Sequence, residues 1–295
     1  MRFTNICLEG PDCSGKTTMF KTLHDLTDFK YNIQDRSCLS MFVYSIMYDR
    51  EDKDFWKEKL HSELKRLETL YVVMIPSEEV LIKRINKRGD DHQDAESIKL
   101  LRKYFYNVAK FSLYTLPNVI LLEDEGVDSN AEAILGRLNS LNEMKGCELI
   151  KQLVMNSGKN ELIDVRCIER VNRAALDYSV LDFPEEKDYY HGIEEKIKTK
   201  LMKEFMGLNS VKEPQKHESR RFVYSDDSCI SFIHFLFRDE NLNVSATLRS
   251  SNVMKTLWAD YEFLKILSCR VADELELRNI PIDLTVNIRS AHILP

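Results

Sequence analysis

The chain has 295 residues, 43% apolar and 31% charged, with a formal net charge of −6 at pH 7 and only 9 glycines. That length suits one large or two modest domains with cores of their own, and so little glycine excludes collagen-like and glycine-rich disordered chains. The negative balance gives no general basic field for nucleic acid, no stretch reaches the ~18 apolar residues of a membrane span, and the start at Arg2 is unlike a secretory segment, so a soluble, cytoplasmic protein is expected.

The first half alternates short β-branched runs with helical patterns, which predicts a parallel sheet with crossover helices. Strands are expected over 3–9, 30–35, 69–75 and 118–123. Helices are expected over 14–26, 38–49, 52–68, 77–88, 96–111 and 129–144, with Ser77 opening the fourth and Lys145-Gly146 stopping the last. A domain boundary is placed there, giving domains 1–146 and 147–295. Beyond it the texture becomes α+β: a strand over 162–169, a helix over 194–206, three antiparallel strands over 221–225, 230–239 and 242–250, a helix over 258–277 and a strand over 282–288. Asp239-Glu240-Asn241 reads as the polar turn of a hairpin, and Glu169 as a strand-end carboxylate on the surface. The 7 cysteines are scattered with no CxxC pair. That pattern fits neither a disulfide framework nor a zinc site, so reduced thiols, mostly in the core, are expected.

Residues 10–18, Gly-Pro-Asp-Cys-Ser-Gly-Lys-Thr-Thr, match GxxxxGK[ST] in full, between an apolar strand and a helix. Backbone N–H groups of such a loop point at nucleotide phosphates, its lysine neutralises them and its Thr hydroxyl ligates Mg²⁺. Gly10, Asp12, Ser14, Gly15, Lys16, Thr17 and Thr18 are therefore the candidate set for Mg·ATP. Phosphoryl transfer needs charge neutralisation and positioning more than covalent help, so nearby cations matter. Arg84 and Arg88 lie four apart on one helical face.

Leu-Glu-Gly-Pro-Asp-x-Ser-Gly-Lys-Thr-Thr resembles the opening of thymidylate kinases and related deoxynucleoside and deoxynucleotide kinases. Asp35-Arg36-Ser37, followed by Ser40 and Tyr44, is similar to the segment that faces the phosphoryl acceptor in that family, and the helix with Arg84, Lys87 and Arg88 resembles its lid. The resemblance covers about residues 3–123. It implies a P-loop kinase fold, with Lys16, Asp35, Arg36, Arg84 and Arg88 as the catalytic set, Asp35 as base or substrate-orienting group, and Thr17 with Asp35 at the metal. The family's Arg-Glu-Pro-Gly acceptor stretch has no counterpart here, so thymidylate itself is not the expected substrate.

In the second half, Ser219-Arg220-Arg221, then Cys229, then Arg249-Ser250 resemble the thymidylate synthase and pyrimidine hydroxymethylase family. The resemblance implies a thymidylate synthase-like α+β domain in which Arg220, Arg221, Arg249 and Ser250 bind a nucleotide phosphate, Cys229 is the nucleophile, and Asp260 and His292 contact base and sugar. It also implies a homodimer formed through this domain. Asn252, Leu248, Ile230 and Leu294 depart from that family's pattern, and folate-dependent catalysis is not expected. The leading expectation is a Mg·ATP-dependent phosphotransferase acting on a pyrimidine deoxynucleoside or deoxynucleotide, with 5-hydroxymethylated forms included, fused to a nucleotide-binding or dimerising domain. The pairing suggests a phage-encoded enzyme of nucleotide supply or DNA modification, working in the host cytoplasm. Two alternatives stay open: a kinase for the hydroxymethyl group of a modified base in DNA, and a non-catalytic nucleotide-binding adaptor.

Overall fold

A computed structural model describes residues 3–89, 94–113, 115–123, 126–183, 186–208, 223–277 and 279–293. The chain divides into two compact units that part between Met144 and Lys145. No helix among the described residues is long and apolar enough to cross a membrane.

The first unit is built on four parallel strands, β1 (Asn5–Glu9), β2 (Asn32–Asp35), β3 (Thr69–Met74) and β4 (Val119–Leu122), in the order β2-β1-β3-β4. Ile6, Cys7 and Leu8 of β1 and Leu70, Val72 and Val73 of β3 are buried. Parallel strands covered on both faces read as unbroken apolar runs, which is why these two are plain in the sequence. Helices α1 (Lys16–Thr27), α2 (Cys38–Met47), α3 (Lys53–Leu64), α4 (Glu78–Arg88), α5 (Ala95–Val108) and α6 (Val127–Glu143) complete the unit. A one-turn π segment, Ala109–Leu113, continues α5.

Two helices differ from expectation at their ends. The helix expected from residue 14 starts at Lys16, because its N-cap Gly15 is left-handed at φ 101°. The helix expected to reach residue 68 stops at Leu64, and the Glu68 carbonyl instead accepts the N–H groups of Thr4 and Asn5, both at 3.1 Å, at the entry to β1.

The second unit has α7 (Gly146–Asn156), β5 (Glu161–Arg170), α8 (Lys187–Leu208), β6 (Val223–Ser225), β7 (Ile230–Arg238), β8 (Asn241–Leu248), β9 (Ser251–Asn252), α9 (Leu257–Glu274) and β10 (Ile282–His292). The main sheet runs β5-β10-β8-β7-β6, with β9 beside β10. β6, β7 and β8 are antiparallel neighbours, whereas β10 lies parallel to β8 and antiparallel to β5. The hairpin turn is Asp239-Glu240, with both residues at positive φ (50° and 56°), the twist that two-residue hairpins require. Leu242, Val244, Ala246 and Leu248 of β8, and Leu284, Val286 and Ile288 of β10, form the buried face. α9 is buried almost all round, as a central helix must be when it is apolar on every side.

Gly146 does not merely end α6. It is the first residue of α7, and a Cβ there would lie 2.6 Å from Glu169 Oε2 and 2.8 Å from Tyr261 Cε1. The glycine is needed for close packing. All seven cysteines are free: Cys7, Cys147, Cys167 and Cys269 are buried, Cys13 and Cys38 half-buried, and Cys229 exposed.

Candidate functional site

The loop between β1 and α1 owes its shape to glycine at two positions. At Gly10 (φ 134°) a Cβ would fall 2.2 Å from the Met74 carbonyl oxygen, so no side chain fits where the loop leaves the sheet. Gly15, also left-handed, turns the chain into α1, so that the first amides of the helix face the loop. Lys16 folds back into this cup. Its ammonium donates to Gly10 O at 2.8 Å, Pro11 O at 2.7 Å and Ser14 Oγ at 3.4 Å. Burial pulls its pKa below the ordinary value and Arg36 adds to this, against the pull of Asp12, Asp35 and Glu9. A buried ammonium resting on neutral oxygens, over a loop without side chains at Gly10 and Gly15, fits a polyphosphate.

Asp35 is the last residue of β2, in register with Leu8 of β1, and Arg36 follows it. Arg36 is itself left-handed at φ 71°. Its N–H donates to Leu8 O at 3.0 Å and its guanidinium to Asp12 Oδ1 at 2.5 Å. Tyr44 on α2 donates to the other Asp12 oxygen at 2.9 Å and lies under the guanidinium, 5.2 Å from ring centroid to Cζ. Burial, with Asp12 beside it, pushes the Tyr44 phenol up to about 12, so it stays protonated and donating. Asp12, expected among the nucleotide-binding residues, thus uses both carboxylate oxygens to hold Arg36 and Tyr44.

From the other side α4 delivers Arg84, whose Nη1 donates to Cys13 O at 3.1 Å. One cavity of about 550 Å³ is lined by Asp12, Cys13, Ser14, Gly15, Lys16, Thr17, Thr18, Asp35, Arg36, Arg84 and Arg88, with Met19, Met74, Val127 and Asn130 alongside. Of the candidate phosphate-loop and catalytic residues all but Gly10 line it, whereas Lys87 on α4 and Ser40 and Tyr44 on α2 do not. Thr17 and Asp35 offer one hydroxyl and one carboxylate, a set suited to Mg²⁺ held mainly through phosphate and water. Among the described residues no group of three or more His, Cys, Asp or Glu could hold a metal ion. Sequence reasoning missed Val127 and Asn130 at the start of α6, which carry no motif, and Glu9, buried at the end of β1.

In the second unit the structure brings Cys229 and Ser250 together, Sγ to Oγ 4.0 Å, and the Arg249 N–H donates to Cys229 O at 2.8 Å. Arg220 and Arg221 lie outside the described residues. Beside Cys229, the Tyr189 hydroxyl accepts from Ile230 N at 2.6 Å and contacts Ser228 Oγ at 3.2 Å, a partner the sequence reading did not identify. His292 pairs in register with Asn252 across β9 and β10. Asp260, expected to face a base, is instead 4% exposed. Tyr190 donates to its Oδ1 at 2.9 Å and Ser251 to its Oδ2 at 3.1 Å. Glu169, expected at the surface, is 6% exposed and ion-paired to Lys265 at 2.7 Å.

Burial pushes the Asp260 carboxyl up to about 7, against the pull of the two hydroxyls. An unfolded aspartate titrates near 3.9, so between about pH 4 and pH 7 the folded chain holds a proton that the unfolded chain releases. This contribution is full below about pH 4 and is lost as pH rises through about 7, on the order of 2–4 kcal/mol. Asp260→Asn should remove it. Melting curves from pH 4 to pH 8 should show the wild type losing ground to the variant as pH rises, and parallel curves would refute the buried carboxyl.

No protein-family model matches the chain, and none of the curated proteins does. Among solved structures, it is similar to a deoxyadenosine kinase from M. mycoides with the products dCMP and dCDP bound: 16% identity, 46% of this chain and 99% of that one, TM-score 0.37. The same enzyme with dCTP bound matches at 18% identity, 46% and 99% coverage and TM-score 0.34. The YorR protein of Bacillus subtilis, in complex with phosphorylated GDP, matches at 19% identity, 48% and 99% coverage and TM-score 0.38. At these identities and scores the likenesses assign neither activity nor substrate.

Proposed function

We propose that the first unit is a Mg·ATP-dependent phosphotransferase whose acceptor is a pyrimidine deoxynucleoside or deoxynucleotide. The observation that carries this reading is the convergence of Lys16, Arg36, Arg84 and Arg88 with the single exposed carboxylate Asp35 around one phosphate-shaped loop. Bound Mg²⁺ would supply charge neutralisation at the transferring phosphate, with Thr17 and Asp35 as its protein ligands. Lys16 exchanges its carbonyl partners for phosphate oxygens, a stronger charge-assisted bond. Arg84 and Arg88 approach the same phosphates from α4. Arg36, aimed by Asp12, orients the acceptor; Asp35 accepts the hydrogen bond of a nucleoside's hydroxyl and then takes its proton, and for a nucleotide, whose attacking phosphate oxygen has no proton to lose, it acts as an orienting group alone. Val127 and Asn130 line the same cavity and are offered as contacts of the donor nucleotide.

We carry the second unit as a thymidylate synthase-like nucleotide-binding and dimer-forming module. The clustering of Cys229, Arg249 and Ser250 at the β7–β8 end supports this. The half-exposed sheet face of Arg166, Ser245, Thr247, Thr285 and Asn287 is the surface on which a second copy would pack.

Transfer from labelled ATP should be measured on free pyrimidine nucleosides and nucleotides and, in parallel, on oligonucleotides carrying a 5-hydroxymethylated pyrimidine. Transfer to the free compounds supports the proposal. Transfer to the oligonucleotides alone replaces its acceptor with a base in DNA, and no transfer to either panel leaves a binding module.

A further inference from the structure

We propose that Glu9, through Ser37 and Ser40, is the positioning residue that fixes the Asp35-Arg36-Ser37 turn against the phosphate loop. The inference rests on the kinase reading of the cavity, since it names what aims the acceptor-side residues of that site.

Glu9 is the last residue of β1 and is fully buried. Among the described residues no ion pair reaches it. A buried carboxylate without a cation is costly unless hydrogen bonds satisfy it. Here they do, and all come from one short segment. Oε1 accepts the Ser37 N–H and the Ser37 hydroxyl, each at 2.5 Å, and Oε2 accepts the Ser40 hydroxyl. Ser37 is also the N-cap of α2, its Oγ accepting Leu39 N at 3.1 Å. Glu9 therefore grips the first turn of α2 at the residue directly after Arg36.

The grip matters because of the backbone it restrains. Arg36 sits at φ 71°, a left-handed conformation that disfavours a side chain and persists only where the surroundings over-determine it. Besides the Tyr44 ring under its guanidinium, three hydrogen-bonded restraints hold it: its own N–H on Leu8 O, its guanidinium on Asp12, and Glu9 on the next residue. Two of the three acceptors, Leu8 O and the Glu9 carboxylate, belong to the end of the strand that feeds the phosphate loop. The turn that presents Asp35 and Arg36 is thus locked to the same strand end that sets Gly10. Small displacements of such groups cost rate steeply.

The test is Glu9→Gln, which keeps volume but replaces one acceptor oxygen with a donor. Amide hydrogen exchange over residues 35–38 should rise in the variant. ATP binding by calorimetry should stay within about twofold, while kcat on the acceptor falls about tenfold or more. Ser40→Ala, which deletes one of the three bonds, should shift the same readouts in the same direction by less and covers the case that Glu9→Gln does not fold. Unchanged exchange at 35–38, or ATP affinity falling in step with kcat, overturns the positioning role and leaves Glu9 a core residue. If the wild type transfers phosphate to no acceptor, the kinase reading fails on its own, and the exchange result still decides whether Glu9 holds the turn.

Discussion

Lys16→Ala is expected to lower phosphoryl transfer by at least about 10³-fold while leaving the chain folded. The two halves of that expectation have separate causes. Lys16 is the one cation buried inside the loop, and its hydrogen-bond partners Gly10 O, Pro11 O and Ser14 Oγ are neutral, so its removal breaks no ion pair. It also relieves the burial that depresses the lysine's pKa, so melting without ligand should hardly move. With Mg·ATP at about 100 times its Kd the wild type should gain about 2.7 kcal/mol, and the variant should lose most of that gain. Lys16→Arg should not rescue, because a planar guanidinium cannot lie between Gly10 O and Pro11 O as a compact ammonium does. Transfer by Lys16→Ala above a tenth of the wild-type rate would refute the phosphate-loop assignment.

What the sequence reveals and hides follows from the separation of the interacting groups. The phosphate loop is legible because its chemistry is local: two glycines, a lysine and two threonines in nine residues, between a strand and a helix that announce themselves by period. Asp35 and Arg36 can be nominated, but not the way they are held. The Arg36–Asp12 and Ser37–Glu9 bonds join residues 24 and 28 positions apart and leave no spacing to read. Glu9 looks like a polar strand end, and only the arrival of two serines from the start of α2 makes it a core residue. The second unit repeats the lesson at longer range. Asp260 meets Tyr190 across 70 positions, so an aspartate that invites a ligand-binding reading turns out to be enclosed by two hydroxyls. α7 escapes prediction because a glycine after a helix reads as a stop, whereas Gly146 is selected by what packs on it. β10 is legible as a strand, but its parallel pairing with β8 is set only when α9 crosses between them.

Lys265→Met is expected to be the most destabilising single change in the second unit, by about 3–5 kcal/mol at neutral pH. Lys265 is 5% exposed and bridges two carboxylates that are equally shut off from water, Glu169 Oε1 at 2.7 Å and Glu262 Oε1 at 3.1 Å. Burial alone would lower the lysine's pKa, but the two glutamates outweigh it and hold the ammonium above its ordinary value. The same carboxylates tie down the start of the unit: Glu169 Oε2 accepts the Gly146 N–H at 2.8 Å, and Glu262 Oε1 pairs with Lys145 at 3.3 Å. Removing the lysine leaves Glu169 with a single backbone donor, and Glu262 with a half-exposed lysine and the Asp177 N–H at 3.4 Å, inside a layer that includes Cys167 and Tyr261. Combining Lys265→Met with Glu169→Gln and Glu262→Gln should recover most of the loss, because a neutral set carries no charge to leave unpaired. Denaturant midpoints for the single and triple variants decide the matter. A single variant within about 1 kcal/mol of the wild type would show that water reaches the triad, and a triple variant as weak as the single would assign the cost to packing volume rather than to charge.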